Sequence, residues 1–321
     1  MIKAGIVGGA GYTAGELIRL LIGHPEAELS HVQSKSHAGK KISEAHSDLE
    51  GQLDIDFTDQ LPEQMDVVFL CSGHGRSAGL YPDLMRKGNN KIIDLSADFR
   101  IKSEDHDFVY GLPELNKDQI SHADHIANPG CFATCIQLCL LPLADEGLLK
   151  DDIHVTAITG STGAGQSFSA TTHFSWRSNN ASVYKPLKHQ HVTEIMQSLK
   201  QLQPTLQNEL LFIPLRGAFT RGILANAYTK CSMNEEVLQQ LYKDYYQAHP
   251  FVQVTANAPD IKQVVNTNKA FIQVHKEGDQ VLITGVIDNL LKGASGQAVQ
   301  NMNLMFGFSE HAGLNLKSGA F

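Results

Sequence analysis

The stretch that most restricts what this chain can fold into lies at its start. Ala4-Gly5-Ile6-Val7 is a short apolar run, Gly8-Gly9-Ala10-Gly11-Tyr12-Thr13-Ala14-Gly15 follows it at once, and residues 16–22 read as a helix. Gly9, Gly11 and Ala14 satisfy G-x-G-x-x-A in the strand–turn–helix context that a dinucleotide fingerprint requires. The physical demand is a tight turn, close backbone approach to a pyrophosphate, and a helix N-terminus facing it. Gly8, Gly9, Gly11, Tyr12, Thr13 and Ala14 are therefore the first candidate cofactor contacts.

Buried-type strands recur at 29–33, 66–71, 91–96 and 125–127, the rhythm of a parallel α/β sheet. After the second strand an NAD-selecting protein places Asp or Glu for the ribose hydroxyl. This chain has Ser34-Lys35-Ser36, a cation with two hydroxyls, which suits a 2′-phosphate and points to NADP(H). Ser72 and His74 follow the third strand at the edge where open sheets bind ligands. Ser72 joins the cofactor candidates; His74 lines the cleft or only forms the turn, and Cys71 reads as a core residue. Arg100, just beyond the fourth strand, has the planar fork for a phosphate or carboxylate; the ordinary alternative is a salt bridge with Asp98.

The fifth strand runs into Asn128-Pro129-Gly130-Cys131, and residues 131–141 read as a helix. Cys131 thus falls at a helix N-terminus, where unpaired N–H groups and the helix dipole favour a thiolate. Cys135 and Cys139 read as small hydrophobes on one buried face. Beyond residue 152 the periodicity changes to strands at 153–159, 212–215, 223–228, 271–274 and 280–288, with helices at 235–246 and from 289 to 305. The loop at 160–165, with Ser161 and Gly163, is either an anion cradle or a flexible connection. A polar loop at 172–188, holding Trp176, Arg177 and Tyr184, is able to cover a site. His189 and His191 open a helix with Glu194 one turn on, a plausible acid/base group.

The expected fold is α/β. An N-terminal Rossmann-type dinucleotide-binding domain spans 1–129 and 292–321, and an α+β catalytic domain with a mixed or antiparallel sheet spans 130–291. With 26 basic and 34 acidic residues the net charge is −8, which leaves no footprint for nucleic acid. No apolar run is long enough for a membrane span. An odd cysteine count and a start that runs straight into a strand suggest a reduced, cytoplasmic protein without a signal peptide or metal site.

These motifs together resemble the N-acetyl-γ-glutamyl-phosphate reductase family, relatives of aspartate-semialdehyde dehydrogenase. The likeness runs over essentially the full length. It is carried by Asn128-Pro129-Gly130-Cys131-Phe132-Ala133-Thr134, the glycine loop, His189-Gln190-His191 with Glu194, Arg221-Gly222-Ile223-Leu224 and Asn289-Leu290-Leu291-Lys292-Gly293. The resemblance implies Cys131 as nucleophile, the His189/His191 segment with Glu194 as acid/base, and NADP(H) as cofactor. It places Lys292, Gly293 and Gln297 near the cofactor; Gly163 and Asn289 join the cofactor candidates, and Arg100, Asn128 and Ser161 are the substrate candidates. It implies an acyl-phosphate substrate, inorganic phosphate as product, and a homo-oligomer, dimer or tetramer.

The chain departs from the family at Cys135, at Gln190 and Thr193, and in the Ser175–Asn180 loop. Arg177 in that loop would suit an acyl group ending in a carboxylate, so N-succinyl stands as an alternative to N-acetyl. Another acyl phosphate, as in aspartate-semialdehyde dehydrogenase, is a further alternative. From other classes come a cysteine hydrolase using Cys131 and His191, a nucleotide-binding redox sensor, and a zinc site on Cys131, Cys135, Cys139 and His191.

Overall fold

The computed structural model describes residues 1–319, and the chain divides into two compact units. Unit 1 comprises Met1–Gly130 and Ala294–Asn315. Its elements in order are β1 (Ile2–Val7), α1 (Tyr12–Leu21), β2 (Ala27–Gln33), β3 (Val67–Leu70), α2 (Ser77–Arg86), β4 (Ile92–Asp94), β5 (Val109–Tyr110), α3 (Pro113–Ser121) and β6 (His125–Ala127). The strands pair in parallel in the order β2-β1-β3-β4-β6-β5. Continuous apolar runs make this possible: every residue of β3, β4 and β6 is buried, as strands covered on both faces must be.

Unit 2 covers Cys131–Gly293 with the tail beyond Asn315. It begins with α4 (Cys131–Asp145) and continues through β7 (Ile153–Thr159), α5 (Phe174–Arg177), β8 (Ser182–Val183), α6 (His191–Leu202), β9 (Leu210–Arg216) and β10 (Ile223–Lys230). It ends with α7 (Glu235–Tyr246), β11 (Val252–Val254), β12 (Ala270–Glu277) and β13 (Gln280–Ile287). The sheet is mixed, in the order β11-β12-β13-β10-β7-β9-β8, with β7 and β9 parallel inside it. Alternation on β10 buries Ile223, Ala225, Ala227 and Thr229, and α4 packs on β10 and β13. The smallness of Ala225 and Ala227 suits the close approach of a helix that is itself almost wholly buried.

The helix expected to stop near 141 runs on to Asp145, through Pro142. Proline cannot donate to the carbonyl four residues back. The Tyr246 hydroxyl donates to that Leu138 carbonyl instead at 2.5 Å, and the Tyr242 hydroxyl donates to Cys139 at 2.5 Å. The last helix, expected from 289, starts only at Ser295 as α8 (Ser295–Met305). Before it, Asp288 Oδ1 accepts from the Leu290 and Leu291 N–H groups and turns the chain. All eleven residues of α8 are buried within unit 1, polar ones included. Three of its polar side chains are matched to backbone carbonyls. Ser295 Oγ donates to Thr13 O (2.8 Å), Asn301 Nδ2 to Gly111 O (2.9 Å), and Asn303 Nδ2 to Ala312 O (2.9 Å).

Candidate active site

In unit 1 the glycine loop lies at the carboxyl end of the parallel strands. Gly8 and Gly9 donate their N–H groups to Gln33 O at 3.0 and 2.8 Å, which puts Ser34-Lys35-Ser36 beside the loop. Gly8 has φ +84°, and a Cβ there would stand 2.7 Å from the Cys71 carbonyl and 2.8 Å from the Ser72 nitrogen. No other residue fits this backbone. Gly11 is the opposite case. It caps α1 with no side-chain hydrogen bond, and a Cβ on it would meet no protein atom within 4 Å. The space is left open in front of the unpaired N–H groups of Tyr12, Thr13 and Ala14, a cradle that fits a pyrophosphate. Ser34 is buried, Lys35 and Ser36 are exposed, and Ser36 Oγ meets His37 Nδ1 at 2.9 Å.

Three residues here escaped sequence reasoning or changed role. His46, thirty-seven residues from Gly9, donates from Nε2 to the Gly9 carbonyl at 2.7 Å and so pins the glycine loop. His74 accepts at Nδ1 from the Ala97 N–H (3.0 Å) and is a turn residue. Asp98 accepts from Gly75 and Ala78 at the start of α2 (2.6 and 3.2 Å), which accounts for its carboxylate without Arg100. Cys71 is half-buried at the end of β3, and the burial of its thiol pushes it up to about 12, against a hydrogen bond from Thr13.

The turn that leads into Cys131 is held from inside unit 1. Asn128 is buried, and its N–H donates to Asp94 O (2.8 Å). Its side-chain oxygen accepts from Asn301 (3.0 Å), and its amide donates to Ala294 O (3.1 Å). Arg100, also buried, donates from Nε to Asn128 O (2.9 Å) and from Nη2 to Leu95 O (3.1 Å). With its amide engaged, Asn128 shapes the turn, and Arg100 braces it. Cys131 follows as the first residue of α4 and is partly exposed, whereas Cys135 and Cys139 are buried in the core. Among the described residues no three His, Cys, Asp or Glu side chains converge on a metal position.

Within unit 2, α6 packs on α4 and brings the histidines to the start of α4. The Phe132 ring, next to Cys131, lies 5.7 Å from the His189 ring and 6.4 Å from the His191 ring. The two imidazoles are 4.5 Å apart, and the His191 N–H donates to His189 Nδ1 at 3.2 Å. That bond places the proton of neutral His189 on Nε2. His189 is enclosed by Phe132, Tyr184 and Phe212, and this desolvation, helped by Lys185, holds its pKa down to about 4. His191 opens α6, and Glu194, also buried, lies one turn along the same face.

A measurable consequence concerns stability. Unfolded His189 takes up a proton as pH falls through about 6.5, while the folded residue resists until about 4. The stability it contributes is full above pH 6.5 and is lost as pH drops toward 4. Urea unfolding at pH 7 and pH 4.5 should show a loss about 2 kcal/mol smaller in His189→Asn than in wild type, allowing for solvent screening. An equal loss in both would show that His189 ionises in the fold as freely as in the unfolded chain.

Other candidates take structural places. Arg177 is buried; its guanidinium donates to the carbonyls of Thr171 (3.1 Å), Asn180 (3.3 Å) and Arg216 (2.7 Å) and to Ser182 Oγ (3.2 Å). It staples its own loop. The Ser161–Gly163 stretch is no anion cradle either. Ser161 N and Thr162 N donate to the carbonyls of Phe219 and Thr220, and Gly163 N donates to Gly160 O. Asn289 accepts from Gly222 N (2.7 Å) and donates to Thr162 Oγ1 (3.0 Å), locking that loop rather than offering its amide to a cofactor. Lys292 is fully buried, its Nζ 6.0 Å from the Phe251 ring. Gly293 backs onto Cys131, since a Cβ there would stand 2.8 Å from Cys131 Cβ.

Comparison with known proteins agrees with this layout. Residues 3–123 match the family described as semialdehyde dehydrogenase, NAD binding domain, and residues 131–289 its dimerisation domain. Proteins named N-acetyl-gamma-glutamyl-phosphate reductase are 58% identical in Phocaeicola vulgatus, 57% in Christiangramia forsetii and 54% in Flavobacterium johnsoniae, each covering 100% of both chains. Aspartate semialdehyde dehydrogenase II of Vibrio cholerae has the same fold, with a TM-score of 0.73 and 16% identity over 96% of this chain and 98% of that one. The Candida albicans enzyme, solved with NADP, gives a TM-score of 0.72 at 16% identity, over 95% and 98%. By full-length identity to named relatives and by both matched domains, the chain belongs to the N-acetyl-gamma-glutamyl-phosphate reductases of the semialdehyde dehydrogenase family.

Proposed function

We propose that the chain reduces N-acetyl-γ-glutamyl phosphate to the corresponding semialdehyde with NADPH, a step of arginine biosynthesis. The observation that carries the chemistry is Cys131, partly exposed at a helix start, with two buried histidines gathered on the adjoining Phe132. An acyl phosphate is activated but accepts hydride poorly, so the Cys131 thiolate first attacks its carbonyl. The C–S bond forms, the C–O bond to phosphate breaks, and phosphate leaves with the electron pair. Residues 8–14 would hold NADPH, with Ser34, Lys35 and Ser36 toward its 2′-phosphate, and the bound cofactor would supply the hydride for the thioester carbonyl. His191 takes the thiol proton at attack, lends it to the oxygen that carries charge after reduction, and recovers it as the C–S bond breaks. Glu194, one turn away, orients His191, and His189 stays neutral and positions its neighbour. N-acetyl is the acyl group named for the relatives, and with Arg177 tied to its loop nothing in the structure favours N-succinyl.

The deciding assay runs in reverse. N-acetylglutamate semialdehyde should reduce NADP⁺ only when inorganic phosphate is present; phosphate-independent reduction removes the acyl-phosphate reading, and a hydrolase or sensor would show none. The cofactor assignment has its own check. Lys35→Asp should weaken NADPH binding by about tenfold or more, and NADH far less, because the carboxylate opposes a 2′-phosphate. Equal loss for both dinucleotides removes residues 34–36 from the phosphate site.

The matched dimerisation domain supports a homo-oligomer acting on small molecules. Phe168, Phe174, Trp176, Val183 and Leu187 are exposed apolar residues on one stretch of unit 2, suited to contact with a second copy in a dimer or tetramer. No helix among the described residues is long and apolar enough to cross a membrane. A biosynthetic enzyme with five cysteines and no disulfide among the described residues suits the cytoplasm.

A further inference from the structure

His46 reaches the glycine loop from the long connection between β2 and β3. Its backbone is fixed there: the His46 N–H donates to Ile42 O (3.0 Å), and the His46 carbonyl accepts from the Leu49 N–H (3.0 Å). The side chain is buried. Nε2 stands 2.7 Å from Gly9 O, and because a carbonyl only accepts, the imidazole donates. The other side of the ring lies on Gly15, where a Cβ would stand 2.7 Å from Nδ1 and 2.8 Å from Cε1. Glycine is a poor residue inside a helix, and the space it opens in α1 is filled by this ring. Phe57 flanks both partners: its ring lies 6.4 Å from that of His46, and a Cβ on Gly9 would stand 3.1 Å from Phe57 Cε1.

The bond decides which way one peptide group faces. The Gly9 N–H is taken by Gln33 O at 2.8 Å and the Gly9 carbonyl by His46. The Gly9–Ala10 peptide is planar and trans, so its N–H, carried by Ala10, points opposite to that carbonyl. Ala10 is partly exposed, and no acceptor among the described residues takes its N–H. We propose that His46 is a positioning residue for the dinucleotide. By drawing the Gly9 carbonyl to its own side, it turns the Ala10 N–H toward the pyrophosphate, where it joins the donors of the first turn of α1. Successive N–H groups facing one way make a cradle for an anion, whereas a carbonyl rotated into their place would oppose it.

The inference rests on residues 8–14 holding the dinucleotide, and its test separates the two. Calorimetry on the full chain gives Kd for NADPH and for adenosine 2′-phosphate, which has no pyrophosphate. The proteins compared are wild type, His46→Phe, His46→Asn, His46→Gln and Gly11→Val. Phenylalanine keeps a ring over Gly15 without a donor, and asparagine is too short to reach Gly9 but cannot crowd the helix. Both should bind NADPH about tenfold more weakly and adenosine 2′-phosphate as wild type does. Glutamine, which carries an amide N–H to about the place of Nε2, should recover most of the loss. Equal weakening of both ligands shows that His46 only holds the domain together and overturns the proposal. Unchanged NADPH binding in the phenylalanine and asparagine variants, with binding lost in Gly11→Val, overturns the role of His46 and leaves the loop standing. NADPH binding that survives Gly11→Val as well overturns both.

Discussion

Replacing Cys131 by serine should lower turnover by about 10⁴-fold or more while NADPH binds as in wild type. A hydroxyl has the size and place of the thiol but is not ionised near neutrality, and the displacement of phosphate depends on that anion. The fold should not notice the change. Cys131 is partly exposed at the first position of α4, and Gly293 behind it leaves room for either side chain. Fluorescence titration of NADPH into Cys131→Ser checks the second half of the statement. Lost binding would mean that the cysteine shapes the structure instead of reacting.

His191→Gln should lower kcat by roughly 10²–10⁴-fold and remove one limb of the pH profile, whereas His189→Gln should leave that limb in place. The two residues differ in environment, not in type. His189 accepts from a backbone N–H at Nδ1, so its remaining nitrogen already carries a proton, and burial holds its pKa at about 4. Near neutral pH it has no lone pair to offer a thiol. His191 is left as the group able to take and return the proton. Profiles of kcat against pH for the two variants decide the matter: a limb lost with His189 and kept without His191 would reverse the roles.

Periodicity and the glycine loop made the two-sheet α/β architecture legible before any coordinates. Continuous apolar runs can only be doubly covered parallel strands, and alternating ones must face a single helix layer. What escaped was whatever depends on contacts distant in sequence. The extension of α4 through Pro142 needs hydroxyls from Tyr242 and Tyr246, about a hundred residues away. α3 carries too weak an apolar stripe to stand out. In the site, Cys131 was legible because its turn and helix are local. The bonds that Arg100, Asn128 and Arg177 make to backbone carbonyls were hidden, because a sequence shows that a polar group exists but not what satisfies it. His46 gave no signal of its own, since it matters only through a partner brought close by the fold.

The buried last helix has a bearing on how the protein is made. α8 belongs to the sheet unit whose first strand is synthesised at the outset, yet all of Cys131–Gly293 must be translated in between. At usual elongation rates that interval is roughly 10–30 s. During it the surfaces of α1 and α3 that will receive α8 have no cover, and the Asn128 amide lacks both Asn301 and the Ala294 carbonyl. The turn that leads into Cys131 is therefore among the last parts of the molecule to become rigid, and the thiol is held in its final place only on a nearly finished chain.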